Sequence, residues 1–327
     1  MFGRRKKIPE VVGIHVGRTT LTFVRVIKHP DRVEIRQLFH TALPRALSAW
    51  PADAVRQALL EAKKKINLKA DEVRLSLPSD LAPNHFLLVP STKQEQLDSA
   101  VKLQLEHKLG NQCGQLSYQF QVLEKRGEQY RVFCTSLPTE RLRVILASFA
   151  DINCPVDLVE VESVSVANLV ASRITGTSPV AVLHICSDWS EIHVLRRGQV
   201  ALSRPIPKLE NDVDRAGETV PQDSSGELAP GSPAAALGSW YLDRISREAN
   251  KTLDYFEIEL LLPAVERLWL IGEAASLAGL DDILAQQLAV KVEVLGPGGS
   301  IDDATKQYDP VRHSLAVAAA VGEEEAS

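Results

Sequence analysis

Two histidines occupy matching places in the sequence and are the first residues whose type could do chemistry. His15 lies in the segment VVGIHVGRTTLTFVRV, and His184 lies in VAVLHICSDWSEIHVL, 169 residues further along. Imidazole nitrogens are common ligands of transition metals, but a zinc site needs three or four protein ligands. No further ligand stands at a telling spacing from either histidine. The pattern therefore favours histidines at the edge of a core over a metal site.

Three carboxylates form a second candidate for chemistry. Asp157, Glu160 and Glu162 follow one another closely and could position a water molecule for hydrolysis. They fall on a predicted strand and on the start of a helix, where acidic residues commonly serve as caps or as solvated charges. We therefore predict no catalytic residue among them.

The two histidine segments predict two similar β-hairpins. The first has an apolar run, a turn at residues 17–19 and then alternating apolar and polar residues. In the second, Cys186 falls on the position of Gly17. Each hairpin leads into a further extended segment, at 32–39 and at 199–206. This repetition predicts a duplicated fold with two related lobes facing each other, the alternative being chance similarity of valine-rich hairpins.

A separate unit is predicted between the hairpins. After a helix at 51–65 and a strand at 73–77, the order of elements from 85 to 161 is β-α-β-β-α-β. The predicted strands of this unit are 85–89, 118–123, 130–136 and 156–161. This order indicates a compact inserted α+β subdomain.

The remaining third of the chain begins with a change in amino-acid composition. Residues 210–238 are rich in Pro, Gly, Ser and acidic residues, which predicts disorder. Beyond them the apolar spacing predicts an alternation of helices and strands. The helices are at 240–260, 277–288 and 315–321, and the strands are at 265–271 and 292–295.

Composition limits the classes of function. The chain has 327 residues and a formal net charge of −5, which argues against a nucleic-acid binder. Four cysteines without CxxC spacing predict reduced thiols and a cytosolic protein. With no run of 18 apolar residues, no membrane span is expected. The cations at the start, in MFGRRKK, favour a solvated terminus over a lipid contact.

Three stretches together carry a family resemblance. VGIHVGRTTLTFVRV and VLHICSDWSEIHVL resemble the two phosphate hairpins of the actin-like ATPase superfamily, and LWLIGEAASLAGLDDILAQQL resembles its adenosine motif. Within that superfamily the chain is most similar to PilM, the cytoplasmic family of type IV pilus assembly proteins related to FtsA. VRLSLPSDLAPNHFLLVP and VDLVEVESVSVANLV also resemble that family. The resemblance implies an α/β, actin-like (ribonuclease H-like) duplicated fold with an inserted subdomain.

The resemblance also implies where a nucleotide would bind. If ATP and Mg²⁺ bind, the contacting residues would be His15, Gly17, Arg18, Thr19, Ser187, Asp188, Gly272 and Glu273. Histidines stand where the superfamily has the acidic residues that orient Mg²⁺, which prefers oxygen ligands. Cys186 and Glu273 stand where it has glycines. These departures predict that nucleotide binding is weakened or lost, and that the chain is not an ATPase.

The implied domains and partner follow from the same family. The first lobe is predicted at 1–84 and 155–176, the inserted subdomain at 85–154, and the second lobe at 177–327. In the family, the subdomain helps to capture the N-terminal cytoplasmic peptide of PilN, a single-span inner-membrane protein. The candidate groove residues here are Phe86, Leu88, Tyr118, Phe120 and Val122.

The resemblance therefore implies a cytoplasmic scaffold of a type IV pilus or type II secretion-like assembly, placed at the inner membrane through its partner. An assembly motor or a second copy of the chain would be further partners. Alternatives are an active actin-like ATPase, the cytoplasmic part of a type II secretion platform protein, and an FtsA-like membrane-associated filament former.

Overall fold

The structure is a computed structural model of the chain. It describes residues 8–43, 50, 52–90, 93–110, 115–174, 176–186, 189–208, 237–296 and 301–322. Three predictions lie outside these ranges: the basic start of the chain, the sites Ser187 and Asp188, and nearly all of the segment predicted to be disordered.

The described residues form fourteen strands, seven α-helices and one π-helical turn. The strands are β1 (Glu10–Val16), β2 (Thr20–Lys28), β3 (Val33–Ala42), β4 (Glu72–Leu77), β5 (Asn84–Pro90), β6 (Leu116–Arg126), β7 (Gln129–Pro138), β8 (Leu158–Val161), β9 (Val180–Ile185), β10 (Trp189–Arg196), β11 (Gln199–Pro207), β12 (Arg267–Ile271), β13 (Lys291–Val294) and β14 (Ile301–Asp303). The helices are α1 (Ala52–Lys65), α2 (Gln94–Leu109), α3 (Thr139–Ala150), α4 (Glu162–Ala171), α5 (Ser239–Asp254), α6 (Leu280–Leu288) and α7 (Pro310–Val321), and the π-helical turn is Tyr255–Glu259.

The first sheet has the strand order β14-β3-β2-β1-β4-β8. Its central strand β1 pairs antiparallel with β2 and parallel with β4. Residues 11–16 of β1 are all buried. A strand buried on both faces is expected to be almost continuously apolar, as EVVGIHV is. The first predicted hairpin is confirmed.

The second sheet repeats this arrangement. Its order is β11-β10-β9-β12-β13, in which β9, β10, β11 and β12 correspond to β1, β2, β3 and β4. The two hairpins are closed by equivalent hydrogen bonds. The amide of Gly17 donates to the carbonyl of Thr20, and that of Cys186 to the carbonyl of Trp189, at 2.8 Å each. The predicted duplication is confirmed.

The inserted subdomain contains a third sheet of three strands, β5-β7-β6. One face of this sheet packs on α2, through a buried apolar cluster that includes Leu87, Val132 and Leu105. The predicted order of elements is confirmed. Strand β8, however, pairs with β4 and belongs to the first sheet.

The chain divides into two compact units. The described residues within 1–169, 299–308 and 315–327 form the first, and those within 170–298 and 309–314 form the second. The predicted boundaries assigned all of 177–327 to the second lobe. The C-terminal segment differs, because β14 pairs with β3 and the later part of α7 packs on the first sheet.

A glycine in β1 explains how α7 packs so closely. A Cβ at Gly13 would lie 2.2 Å from the carbonyl oxygen of Ala316 and 2.7 Å from the Cβ of Ala320. The alanine-rich face of α7 and the missing side chain at Gly13 together bring helix and strand into contact.

Over the described ranges, no helix combines the length and the apolar character that crossing a bilayer requires.

Candidate functional site

The first predicted phosphate turn carries two side-chain contacts to other elements, one from His15 and one from Arg18. Nε2 of His15 lies 3.5 Å from Oε2 of Glu162, at the start of α4, and both side chains are buried. Next to it, Arg18 forms an ion pair of 2.9 Å with Asp80, in the segment after β4. Burial raises the pKa of Asp80 above its ordinary value, although the charge of Arg18 acts in the opposite direction.

Glu162 changes the interpretation of this turn. The sequence suggested a cap or solvated charge, whereas the carboxylate is 4% exposed and lies beside His15. An acidic side chain is thus present in the first unit near the position where the resemblance implies one, but it comes from a different element. Its contact with an imidazole is a different environment from the water-filled shell of Mg²⁺.

At the second predicted phosphate turn, a cysteine sulfur lies beside the histidine. Sγ of Cys186 lies 3.4 Å from Nε2 of His184. His184 is buried, whereas Cys186 is half-buried. The pair supplies two potential ligand groups, fewer than zinc takes from a protein.

The predicted adenosine motif shows why its first residue is glycine. Gly272 has a φ of +94°, and a Cβ there would lie 2.4 Å from the carbonyl oxygen of Ile185 and 2.5 Å from Cδ2 of His184. The glycine therefore allows the end of β12 to pack on the end of β9. The next residue, Glu273, is exposed.

The five predicted groove residues are divided between two faces of the three-stranded sheet. Tyr118, Phe120 and Val122 pack on the α2 face. The hydroxyl of Tyr118 donates to Asp98 on α2 at 3.1 Å, and burial, followed by this hydrogen bond, raises its pKa to about 12. The first two predicted residues, Phe86 and Leu88, pair in register with Phe133 and Arg131 on the other face. The five residues therefore do not line one surface.

A cavity of about 230 Å³ lies elsewhere in the same unit, and its wall is mostly apolar. It is bordered by β6, β7, β8, α3 and the region around β4. The lining residues are Leu77, Ala82, Ser117, Tyr118, Gln119, Thr135, Leu137, Leu142, Val159, Glu160 and Val161. Of the predicted groove residues, Tyr118 lines this cavity.

Two sheet edges meet at this cavity. Within the described part of the chain, β6 is one of the two terminal strands of the three-stranded sheet, and β8 is a terminal strand of the first sheet. Three consecutive residues of each strand, 117–119 and 159–161, line the cavity. A terminal strand offers backbone N–H and C=O groups to an added extended segment. The cavity therefore places mostly apolar side chains beside two sheet edges. We name it the edge groove.

One acidic side chain lines the edge groove and is held by neutral neighbours. The hydroxyl of Ser165 hydrogen bonds to Oε1 of Glu160, and the amide of Asn168 donates to Oε2 at 3.4 Å. Ser165 is fully buried and a hydrogen bond of 2.6 Å joins it to Ser76 on β4.

Sequence reasoning missed most of this groove because its walls are distant in the chain. Leu77, Leu142 and Val159 come from a strand, a helix and another strand. The available signal was topological: in the β-α-β-β-α-β order, the strand at 118–123 is a sheet edge.

Asp157, the remaining one of the three candidate carboxylates, has a structural role. Its Oδ2 accepts a hydrogen bond from the backbone amide of Val73 at 2.8 Å.

Comparison with known proteins defines the class of fold. No protein-family model matches the sequence. No curated protein matches it either. Among solved structures, the chain is similar to a chain in a PilM-PilN type IV pilus biogenesis complex, with 18% identity, 96% of this chain and 98% of that chain covered, and a TM-score of 0.75. The fold is therefore α/β and actin-like, and the PilM-like resemblance is confirmed at the level of the fold.

Two further structures are more distantly similar. The cytoplasmic domain of EpsL, an inner membrane component of the type II secretion system of Vibrio cholerae, is 10% identical, with 96% of each chain covered and a TM-score of 0.49. A Bacteroides thetaiotaomicron protein of unknown function with an actin-like ATPase fold is 13% identical, with 97% and 99% covered and a TM-score of 0.48. Scores below 0.5 describe a loose likeness of fold.

Proposed function

We propose that this chain is a cytoplasmic scaffold of a type IV pilus or related secretion assembly, which holds the N-terminal segment of a single-span inner-membrane protein in the edge groove. The observation that carries the proposal is the mostly apolar cavity between the terminal strands β6 and β8. The fold likeness to a chain of the PilM-PilN complex supports the kind of partner. The scaffold is peripheral to the inner membrane through that partner.

Strand addition supplies the binding mode. An extended peptide lying along the edge of β8 or β6 hydrogen bonds through its backbone, and its apolar side chains bury against the wall. Leu137 and Leu142 on one side and Val159 on the other provide that wall. Both edges belong to the same compact unit of the chain.

The test first identifies the partner and then measures the affinity of its N-terminal peptide. The immobilised chain is incubated with a detergent extract of its own organism's membranes, and a single-span protein with a short cytoplasmic N-terminus is expected among the bound proteins. A synthetic peptide of that N-terminus is then titrated by fluorescence anisotropy. Leu142→Glu is expected to weaken binding by at least about tenfold, because it places a charge on the apolar wall.

A matched control comes from the same subdomain. Leu88 is 55% exposed and does not line the groove, so Leu88→Glu is expected to leave the affinity unchanged. Equal affinity of the Leu142→Glu and wild-type chains, or recovery of no single-span protein, would contradict the proposal.

A further inference from the structure

The cysteine at the second predicted phosphate turn differs from the other cysteines that the structure describes. Cys134 and Cys154 are fully buried, and burial raises the pKa of their thiols to about 12 and about 11. Cys186 is half-buried, so solvent reaches this residue. A small dissolved oxidant can therefore contact Cys186, whereas the other two thiols are covered and stay protonated.

An imidazole lies next to this exposed thiol. Nε2 of His184 is 3.4 Å from Sγ of Cys186, which is within hydrogen-bonding distance for sulfur. In the neutral tautomer that carries its proton on Nδ1, the imidazole accepts the thiol proton through Nε2. Contact with a base activates a cysteine, because the thiolate is the nucleophile and the thiol is not. The pair therefore supplies both a nucleophile and a base.

Packing and the backbone hold the two side chains in place. The amide of Cys186 donates to the carbonyl of Trp189 at 2.8 Å, which closes the turn. His184 is 8% exposed, and its ring packs so closely on Gly272 that a Cβ there would lie 2.5 Å from Cδ2 of the ring. A nucleophile and a base that are already held in contact need little reorganisation before they react.

We propose that Cys186 is a site of oxidation by hydrogen peroxide, with His184 as the general base. Sγ attacks one peroxide oxygen, so that an S–O bond forms while the O–O bond breaks. The thiol proton passes to Nε2 of His184 and then to the leaving hydroxide, which becomes water. Sulfur loses two electrons, the peroxide gains them, and the product is a sulfenic acid. This inference is independent of the proposed function, because neither residue lines the edge groove.

The first experiment compares the folded and the unfolded wild-type chain. Both are treated at pH 7 with hydrogen peroxide and an excess of dimedone, which traps sulfenic acids, one in buffer and the other in urea. Mass spectrometry of the digested protein gives the labelling rate of each cysteine separately, including Cys113, which lies outside the described residues. Folding is expected to speed the labelling of Cys186 by at least about tenfold, because the unfolded chain loses the contact with His184. Folding is expected to slow the labelling of Cys134 and Cys154, because it buries them.

The second experiment assigns the base. In His184→Gln the side chain still forms hydrogen bonds but accepts no proton, so the labelling of Cys186 is expected to slow by at least about tenfold. The matched control is His85→Gln, which changes another buried histidine, in the inserted subdomain, and is expected to leave the rate at Cys186 unchanged. Thermal unfolding checks that both variants are folded.

Two results would overturn the proposal. One is a labelling rate of Cys186 that is no faster in the folded than in the unfolded wild-type chain. The other is a rate in folded His184→Gln that equals that of the wild-type chain, or a slowing of the same size in His85→Gln. If His184→Gln does not fold, the comparison of the folded and unfolded wild-type chain decides.

Discussion

One buried histidine in the inserted subdomain has a titration that is coupled to folding. His85, on β5, is 6% exposed, and its Nε2 is 2.9 Å from the hydroxyl of Ser136 on β7. Burial, and then the charge of Lys108 on α2, lower the pKa of His85 from 6.5 to about 4. The folded state thus keeps this imidazole neutral at pH values where the unfolded chain protonates it.

The first prediction is a loss of stability in mild acid. Between pH 6.5 and about 4 the unfolded chain binds the proton and the folded chain does not, so the free energy of unfolding falls as the pH falls. The contribution of His85 is on the order of 2 kcal/mol across this window. Urea unfolding at pH 7 and pH 5 measures it. In His85→Gln the pH dependence is expected to be smaller by that amount, and an unchanged dependence would contradict the assignment.

At the scale of elements, the ends of β9 and β12 in the second unit can pack closely because the residue after β12 has no side chain. Gly272 follows β12 and combines a left-handed φ with close contacts to the last residues of β9. The sequence motif suggested a nucleotide contact for this glycine. The structure gives it a packing role, which is sufficient reason for a glycine at this position.

The second prediction compares two glycines in that unit. Gly272 and Gly279 have φ values of +94° and +80°, but a Cβ at Gly279 would meet nothing within 4 Å. Gly279→Ala is therefore expected to cost only the backbone conformation, about 1 kcal/mol of unfolding free energy. Gly272→Ala adds overlap with the carbonyl of Ile185 and is expected to cost at least about 3 kcal/mol. Chemical denaturation measures both, and equal losses would show that the close approach is unimportant.

For the whole molecule, the duplicated topology is kept while the side chains at the turns have diverged. Both hairpins retain the same register and the same closing hydrogen bond. At the first turn, His15 contacts Glu162 and Arg18 pairs with Asp80. These contacts compete with any phosphate or Mg²⁺ that would use the same groups. We propose that nucleotide binding is weak or lost, and that the fold now serves as a scaffold.

The third prediction concerns ATP. Isothermal calorimetry with Mg-ATP and with ADP is expected to show no binding in the low-micromolar range, because imidazole is a poor ligand for Mg²⁺ and Arg18 is already paired. The variant His15→Asp, combined with Glu273→Gly, tests whether restoring the superfamily's residue types restores affinity. Low-micromolar binding by the wild-type chain would overturn the proposal and favour the ATPase alternative.

The sequence by itself determined the elements and their repetition. Both hairpins, the inserted β-α-β-β-α-β order and the helix 240–260 follow from local patterns of apolar residues, and the helical span 239–259 agrees with the last of these. The PilM-like resemblance depended on the order of such elements. It could therefore be recognised in the sequence although the identity with the chain of the PilM-PilN complex is 18%. Strand β14, with three residues, was missed because a segment so short carries no periodic signal.

Only the tertiary structure decided which residues share a site. The contact of His15 with Glu162, the packing of Gly272 on β9 and the lining of the edge groove each join residues from separate elements. The groove prediction took residues from β5 and β6, of which β6 borders the cavity and β5 does not, because alternation along a strand does not tell which face or which end another element covers. Local periodicity is encoded within a few residues, whereas a cavity depends on how distant segments pack.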